Sequence, residues 1–428
     1  MSASAIAAPA VGRPSPAQVE ALSGIDRPTK RDEAWRYAPH AELARLRFGP
    51  AARVPPAVPA DVLAQIPAID GPRIVVVNGV VDHDLSDISS LPDGVHVSSL
   101  AVATDEHPEL VAAHVGQDSD QLADAFVALN IAFGADGAAI LVDAGHRIEV
   151  PIHLVDIVVA DTTPNAEAPN TEAPNAWCSG AVIHLRDGSA ATVIETRIGA
   201  GGELSGSNTR TTITLGEGAT LEHIVAQDAA STQIQLTRVE VTQQARSVLR
   251  ARSFNLGAHY GRLAYDVQLA GAGAVAEMSG LYFGFGEQTL DQQITVVHDA
   301  VDCTSRQSYR GVLDDESTGV FNGGIDVRPG AGGADAEQSN DNLLLSRRAE
   351  VNTQPRLEIL TDEVACKHGA TVGELDETAL YYMRSRGIPE SDARSLLVRG
   401  FAEQVVEDVD VAALRGWIEH RLRLDRDG

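Results

Sequence analysis

Residues 220–254 read TLEHIVAQDAASTQIQLTRVEVTQQARSVLRARSF. Three segments within it, 220–226, 233–241 and 247–254, alternate apolar with polar positions and are parted only by short runs of small polar residues. Period two turns successive side chains to opposite faces of a strand. The same texture extends both ways, through 193–198 and 211–215 upstream and 262–269 and 292–298 downstream. Gly199-Ala200-Gly201-Gly202, Gly216-Glu217-Gly218 and Gly271-Ala272-Gly273 supply the turns. Many short strands with no helix between them allow a sandwich, a barrel or a stacked solenoid. Outward Thr, Gln and Arg and an aromatic-poor interior favour the solenoid, since parallel coils bury ladders of Val, Ile and Leu. Only 8 Phe, 7 Tyr and 3 Trp occur in 428 residues.

The flanks differ. Ser15-Pro16 followed by Ala17, Val19 and Leu22 has the form of a short helix with proline at its first position. Residues 32–47 carry helical spacing interrupted by Pro39, and 50–59 form a Pro/Ala linker. Residues 73–81 predict a buried strand entering a tight turn at Asn78-Gly79, and 108–133 return to helical spacing. Pro-Asn recurs at 164, 169 and 174 in a low-complexity loop over 160–176, too poor in apolar residues to pack. After 374 helical periodicity resumes, with one stripe at Leu396, Leu397, Phe401 and Val405 and another at Leu414, Trp417, Ile418 and Leu422. Gly387-Ile388-Pro389 separates the helices. The expected organisation is a mostly helical region 1–135 with a hairpin at 73–82, a β core at 136–365 and a helical region at 366–428.

Thirty-three basic against 60 acidic side chains give a net charge of −27. That sign repels phosphate backbones and anionic headgroups, so nucleic acid and membrane surfaces are poor partners. Lys30 and Lys367 are the only lysines, and neither precedes Ser or Thr, so the chain has no phosphate-binding loop with which to hydrolyse ATP. Three separated cysteines, Cys178, Cys303 and Cys366, argue for a reducing compartment, the cytoplasm by default. Neither a secretory leader nor an apolar run long enough for a membrane span is expected.

Few residues suggest chemistry. No two of the 13 histidines lie four apart, and no Gly-x-Ser-x-Gly occurs. The acids Asp314, Asp315 and Glu316 fit a polysaccharide-active β-solenoid enzyme, though a solvated turn suits their setting better. Glycines 330, 332 and 333 read as a plain loop rather than an anion cradle. Cys178 and Cys303 read as inert core thiols. Cys366-Lys367-His368-Gly369 is the most informative segment. In a strand, positions 366 and 368 share a face, so a thiolate and an imidazole converge, a ligand pair suited to zinc or an iron–sulfur cluster. Two ligands complete neither, so the others must come from elsewhere in the chain or from a partner.

These motifs resemble the SufB/SufD family of iron–sulfur cluster assembly scaffolds. The resemblance is carried by Asp32-Glu33-Ala34-Trp35-Arg36-Tyr37, by His298 with Thr304-Ser305-Arg306-Gln307 and Tyr309-Arg310-Gly311-Val312-Leu313, and by Gly319-Val320-Phe321-Asn322-Gly323. Asn342-Leu343-Leu344-Leu345-Ser346, Pro355-Arg356-Leu357-Glu358-Ile359, Cys366 through Gly373 and Tyr382-Met383-Arg384-Ser385-Arg386-Gly387-Ile388 complete it. His368-Gly369-Ala370-Thr371-Val372-Gly373 is similar to the SufD branch, and a SufB-type scaffold is the alternative. The resemblance implies a right-handed parallel β-helix flanked by helical regions and a non-catalytic role. It further implies a heterodimer with SufB through the β-helix, a SufC ATPase docked on the C-terminal helices, and a transient cluster shared with SufB. His368 is then the first candidate ligand and Cys366 the second, with Lys367 standing where the family commonly carries Ser or Thr. It leaves room for a homodimer of the isolated chain and for a reduced flavin on the complex.

Overall fold

The computed structural model describes residues 25–49, 51, 54–89, 91–115, 124–134, 136–159 and 175–422. The proposed helix at Ser15-Pro16 and most of the low-complexity loop lie outside them. The strands are β1 (Arg73–Val77), β2 (Val80–Asp87), β3 (Val95–Ser99), β4 (Gly137–Val142), β5 (Ile152–Val158), β6 (Ala176–Leu185) and β7 (Ala190–Gly199). They continue as β8 (Ser205–Leu215), β9 (Thr220–Asp228), β10 (Gln233–Gln243), β11 (Val248–Gly257), β12 (Tyr260–Leu269) and β13 (Val275–Gly284). The last are β14 (Thr289–His298), β15 (Thr304–Leu313), β16 (Thr318–Val327), β17 (Ala334–Leu344), β18 (Glu350–Ile359) and β19 (Val364–Glu374). The helices are α1 (His40–Arg45), α2 (Ala60–Leu63), α3 (Leu100–Glu106), α4 (Pro108–Val115), α5 (Ala125–Phe133), α6 (Glu377–Ser385), α7 (Glu390–Val406) and α8 (Ala412–Arg421).

Two sheets result, ordered β19-β17-β15-β13-β11-β9-β7-β5-β1-β2 and β18-β16-β14-β12-β10-β8-β6-β4-β3. From β4 onward successive strands alternate between the sheets and pair in parallel with the strand one coil away. This is the parallel β-solenoid, the favoured one of the three architectures that the alternation allows. One inward column, Val193, His223, Ala251, Met278, Gln307, Gln338 and His368, stays in register with steps of 27 to 31 residues. The turns stack as well. Gly218 N donates to Ala245 O, Arg246 N to Ala272 O and Gly273 N to Val301 O, at 2.9 to 3.0 Å. Gly218 and Gly273 hold φ of +65° and +68° there, conformations that favour glycine.

Inward aliphatics such as Leu221, Leu249, Leu263 and Ile294 form the core. The odd-numbered sheet is also apolar on its outward face, where Ile224, Phe254 and Leu281 pack under Val398, Ala402 and Ile418. The C-terminal helices therefore lie back along the solenoid. On the other sheet Trp35, Leu43 and Phe126 cover the outward Leu236 and Tyr260. Arg262 stacks on Trp35, its guanidinium carbon 3.9 Å from a ring centroid, which gives the Asp32–Tyr37 segment a docking role. In α7 the buried residues are Ala393, Val398, Ala402, Val405 and Val406, whereas Leu396 is exposed. Of the expected stripe, Val405 is buried and Phe401 packs on the same cluster, but Leu396 turns to solvent because the sheet beneath takes the face centred on Val398 and Ala402. The stripe of Leu414, Trp417, Ile418 and Leu422 is buried throughout. β19 runs through the expected boundary at 365, so residues 366–374 belong to the solenoid and the C-terminal helices begin at Glu377.

The two ends differ. Antiparallel pairs β1–β2 and β3–β4 close the N-terminal end. Among the described residues nothing pairs with the far edges of β18 and β19, and Ile359, Leu360 and Val372 there are exposed.

Trp417 ties the last helix to the N-terminal region through its Nε1 donating to Gln65 O at 2.6 Å, and Arg421 stacks on it. Replacing Trp417 by Ala should cost about 3–5 kcal/mol, read as a lowered urea midpoint. An unchanged midpoint would show that this helix does not hold the fold.

Candidate functional site

Pairing of β17 with β19 sets Ala336 beside Cys366, Glu337 beside Lys367 and Gln338 beside His368. Ala336 and Gln338 are buried inward residues, so Cys366 and His368 continue the interior columns into the last coil. Their Cα atoms lie roughly 6.5–7 Å apart along the strand. Lys367 points the other way and meets Glu337 on the outward face, Nζ to Oε1 2.9 Å. The lysine is thus on the opposite side of the sheet from both candidate ligands.

Cys366 is half-buried against Ile325, Val327 and Ala336. Burial pushes its thiol up, and the charge of Asp335 adds to this. A metal binding there must displace the thiol proton. His368 is exposed. Beneath it Gln338 Nε2 donates to Gln307 Oε1 at 2.7 Å, while Gln338 Oε1 is buried without a partner among the described residues. The rung under His368 therefore holds an unmet acceptor, which favours closure of the coil by further donors. No group of three or more His, Cys, Asp or Glu among the described residues is placed to hold a metal ion.

The remaining candidates separate from this pair. Asp314, Asp315 and Glu316 occupy the turn between β15 and β16, where Asp315 N donates to Asp314 Oδ1 and Arg348 meets Glu316. Asp315 has φ of +52°, so the acids serve the turn. Gly330 and Gly333 sit in the turn before β17 with positive φ. Cys178 is buried, which pushes its thiol far up, and its Sγ donates to Leu129 O. Cys303 is buried beside Gly271 O. His298 is buried in β14, 2.9 Å from Ser305 Oγ, and burial pushes it down to about 4, so it is neutral at physiological pH.

A buried network in the first full coils was not anticipated. Glu195 accepts from Arg197, from His223 Nε2 at 2.8 Å and from Thr211 Oγ1 at 3.1 Å, while Tyr265 Oη lies 2.9 Å from His223 Nδ1. The signal was present: in 190–199 the charges at 195 and 197 share the parity of inward Ala191 and Val193. Asp156, the rung beside Arg197, is pushed up by burial and hydrogen-bonded to Ser179. Most of these groups are satisfied by one another inside the stack, as buried charges require, while Arg197 Nη1 is buried without a partner among the described residues.

Two family models match the chain. One, described as SUF system FeS cluster assembly, SufBD core domain, matches residues 168–401, and the other, SufBD protein N-terminal region, matches 13–154. The chain belongs to the SufBD family. An iron-sulfur cluster assembly SufBD family protein of Synechocystis is 29% identical over 395 residues, 92% of this chain and 86% of that relative. The iron-sulfur cluster assembly protein SufD of Escherichia coli is 28% identical over 382 residues, 89% and 85% of the two chains. A SufBD family protein of Mycobacterium tuberculosis is 33% identical over 249 residues, 55% and 62% of the two chains. Membership places the protein in iron–sulfur cluster assembly. Among the described residues no helix is long and apolar enough to cross a membrane.

Burial alone would raise the Glu195 carboxyl, but Arg197, His223 and Thr211 outweigh it and hold it down at about 2, below an ordinary value of 4.5. A carboxyl whose folded value is depressed stabilises the fold above its unfolded value, and this contribution is lost as pH falls through the folded value. Wild-type stability should therefore fall between pH 4.5 and 2, and Glu195→Gln should be less stable near neutrality with a flatter decline. Urea unfolding across that range checks it; parallel curves for the two proteins would remove Glu195 from the account.

Proposed function

We propose that this chain is a SufD-type subunit that pairs end to end with SufB and helps to form the site where a cluster is assembled before transfer. The observation that carries this reading is the uncapped last coil. Among the described residues its outer strand edges are free, and it bears one thiol and one imidazole on the inward face, short of a complete ligand set. A partner that continues the two sheets would cover the exposed Ile359, Leu360 and Val372 and bring the missing ligands. The cluster is cargo, so His368, with Cys366 second, contributes to holding it only while it is built.

The C-terminal helices suit a second partner. Tyr381, 74% exposed, Tyr382 and Leu396 stand out from α6 and α7, and aromatic residues on an exposed surface are frequent anchors of interfaces. The SufC ATPase would dock here and supply the nucleotide chemistry for which this chain has no loop. Nucleotide-driven closure of two SufC subunits would then pass through α6 and α7, which lie beside β19 in sequence, to the SufB–SufD junction. Such a transition requires a two-state element that nucleotide biases. The chain itself acts without catalysis, in the cytoplasm, and a reduced flavin would bind the complex rather than this chain alone.

Mixing the protein with SufB and SufC should give one co-eluting complex, and failure of all three to associate would sink the reading. Within that complex, His368→Ala should lower the yield of reconstituted cluster several-fold without changing elution volume. Cys366→Ser should act in the same direction and more weakly. Cluster yield that both variants leave unchanged would take this face of β19 out of the assembly site.

A further inference from the structure

The outward face of the odd-numbered sheet carries a column of alternating charge. Register pairs Glu222 with Arg250, Arg250 with Glu277, Glu277 with Arg306, Arg306 with Glu337 and Glu337 with Lys367. Six coils thus present −, +, −, +, − and + at one position. Three of these five pairs are in contact, and Arg306 also meets Asp335 beside the column. Arg250 Nε lies 3.0 Å from Glu277 Oε2, Arg306 Nε 3.9 Å from Glu337 Oε2 and Lys367 Nζ 2.9 Å from Glu337 Oε1. Opposite charges at facing positions of neighbouring strands stabilise the pairing, and like charges oppose it. Lys367 is the last rung, beside the free edge of β19. Its side chain is 70% exposed, against 39–47% for Arg250, Glu277, Arg306 and Glu337, each flanked on both sides.

We propose that Lys367 selects the partner strand: the chain that extends this sheet beyond β19 presents a carboxylate at the outward position facing it. This rests on the end-to-end pairing proposed above and specifies its chemistry. The ladder argues for a partner different from this chain in that position. The outward residues of β19, paired with Asp335, Glu337, Ser339, Asp341 and Leu343, are Ala365, Lys367, Gly369, Thr371 and Gly373. None is acidic, so β19 set against β19 of a second copy can offer Lys367 no carboxylate, and one register would set lysine against lysine. The cation on this subunit's edge thereby favours the heterologous pair over that self-pair.

The lysine shortage makes the test direct. The SufB complex is treated with a carbodiimide, which condenses an amine with an adjacent carboxylate, and the peptides are mapped by mass spectrometry. An isopeptide from Lys367 to an Asp or Glu of the SufB edge strand is expected beside the intrachain Lys367–Glu337 product. K367R should keep the complex and abolish both links. K367E should bind SufB about ten-fold more weakly at low salt and approach wild-type affinity near about 1 M salt, where the Debye length is about 3 Å. A wild-type complex that forms, shows no interchain link at Lys367 and is bound equally tightly by K367E would overturn the ladder and leave the pairing standing. Links from Lys367 to Glu350 or Glu358 of a second copy would assign the rung to self-association and overturn it as well. Failure of the wild-type chain to bind SufB would overturn the pairing itself, and the selection with it.

Discussion

A coil of a β-solenoid can bury its inward side chains only against another coil. Each two-strand layer here donates its ladder hydrogen bonds and its Val, Ile and Leu to the layers on either side, so stability spreads through neighbours and the two ends carry the unmet demand. At the N-terminal end antiparallel strands meet that demand. At the other end, among the described residues, β18 and β19 keep free edges, exposed apolar side chains and, under His368, a buried glutamine oxygen without a donor. Natural proteins seldom leave such an edge open, because it is a template for pairing. The open coil is therefore where association is favoured, and the candidate pair Cys366 and His368 stands on it.

Strand parity then divides the labour within three consecutive residues. Cys366 and His368 face inward, where a second coil would enclose them, and Lys367 faces outward, where it ends a charge column. In the proposed assembly the inner positions would hold the shielded cluster site and the outer one the recognition through water. The acidic excess fits this arrangement. Residues 380–428 contribute eight arginines and nine acids, a net of −1 out of −27, so the helices proposed to receive another subunit are nearly neutral while the rest of the chain repels anions. Inside the solenoid the Glu195, Arg197, His223 and Tyr265 network spends charge on internal order, since it is shut away from solvent and remote in sequence from the last coil.

Much of this was legible in the sequence because a solenoid writes its pattern locally. Alternation located β7 through β12 and β14, and Cys366 and His368 shared a face as soon as the segment was taken as extended. Other features depended on what lies opposite. Residues 275–284 interleave Gly280 with large side chains, Tyr282 among them, which blurs the alternation of β13. Leu396 lost its place in the helix stripe because the groove beneath α7 is shaped by Phe254 and Leu281, more than a hundred residues away. The outward direction of Lys367 follows from parity, but its partner Glu337 lies thirty residues back and emerges only once the register is known. The orphan oxygen of Gln338 and the free edges are properties of packing, invisible to composition or spacing.

The claim that the last coil is completed by SufB is tested most directly by amide hydrogen exchange on this chain, alone and in the complex. The account predicts slowed exchange concentrated in residues 350–359 and 364–374 when SufB is present, with the coils before β16 little changed. Protection that leaves both strands as labile as in the free chain and falls elsewhere on the surface would contradict it.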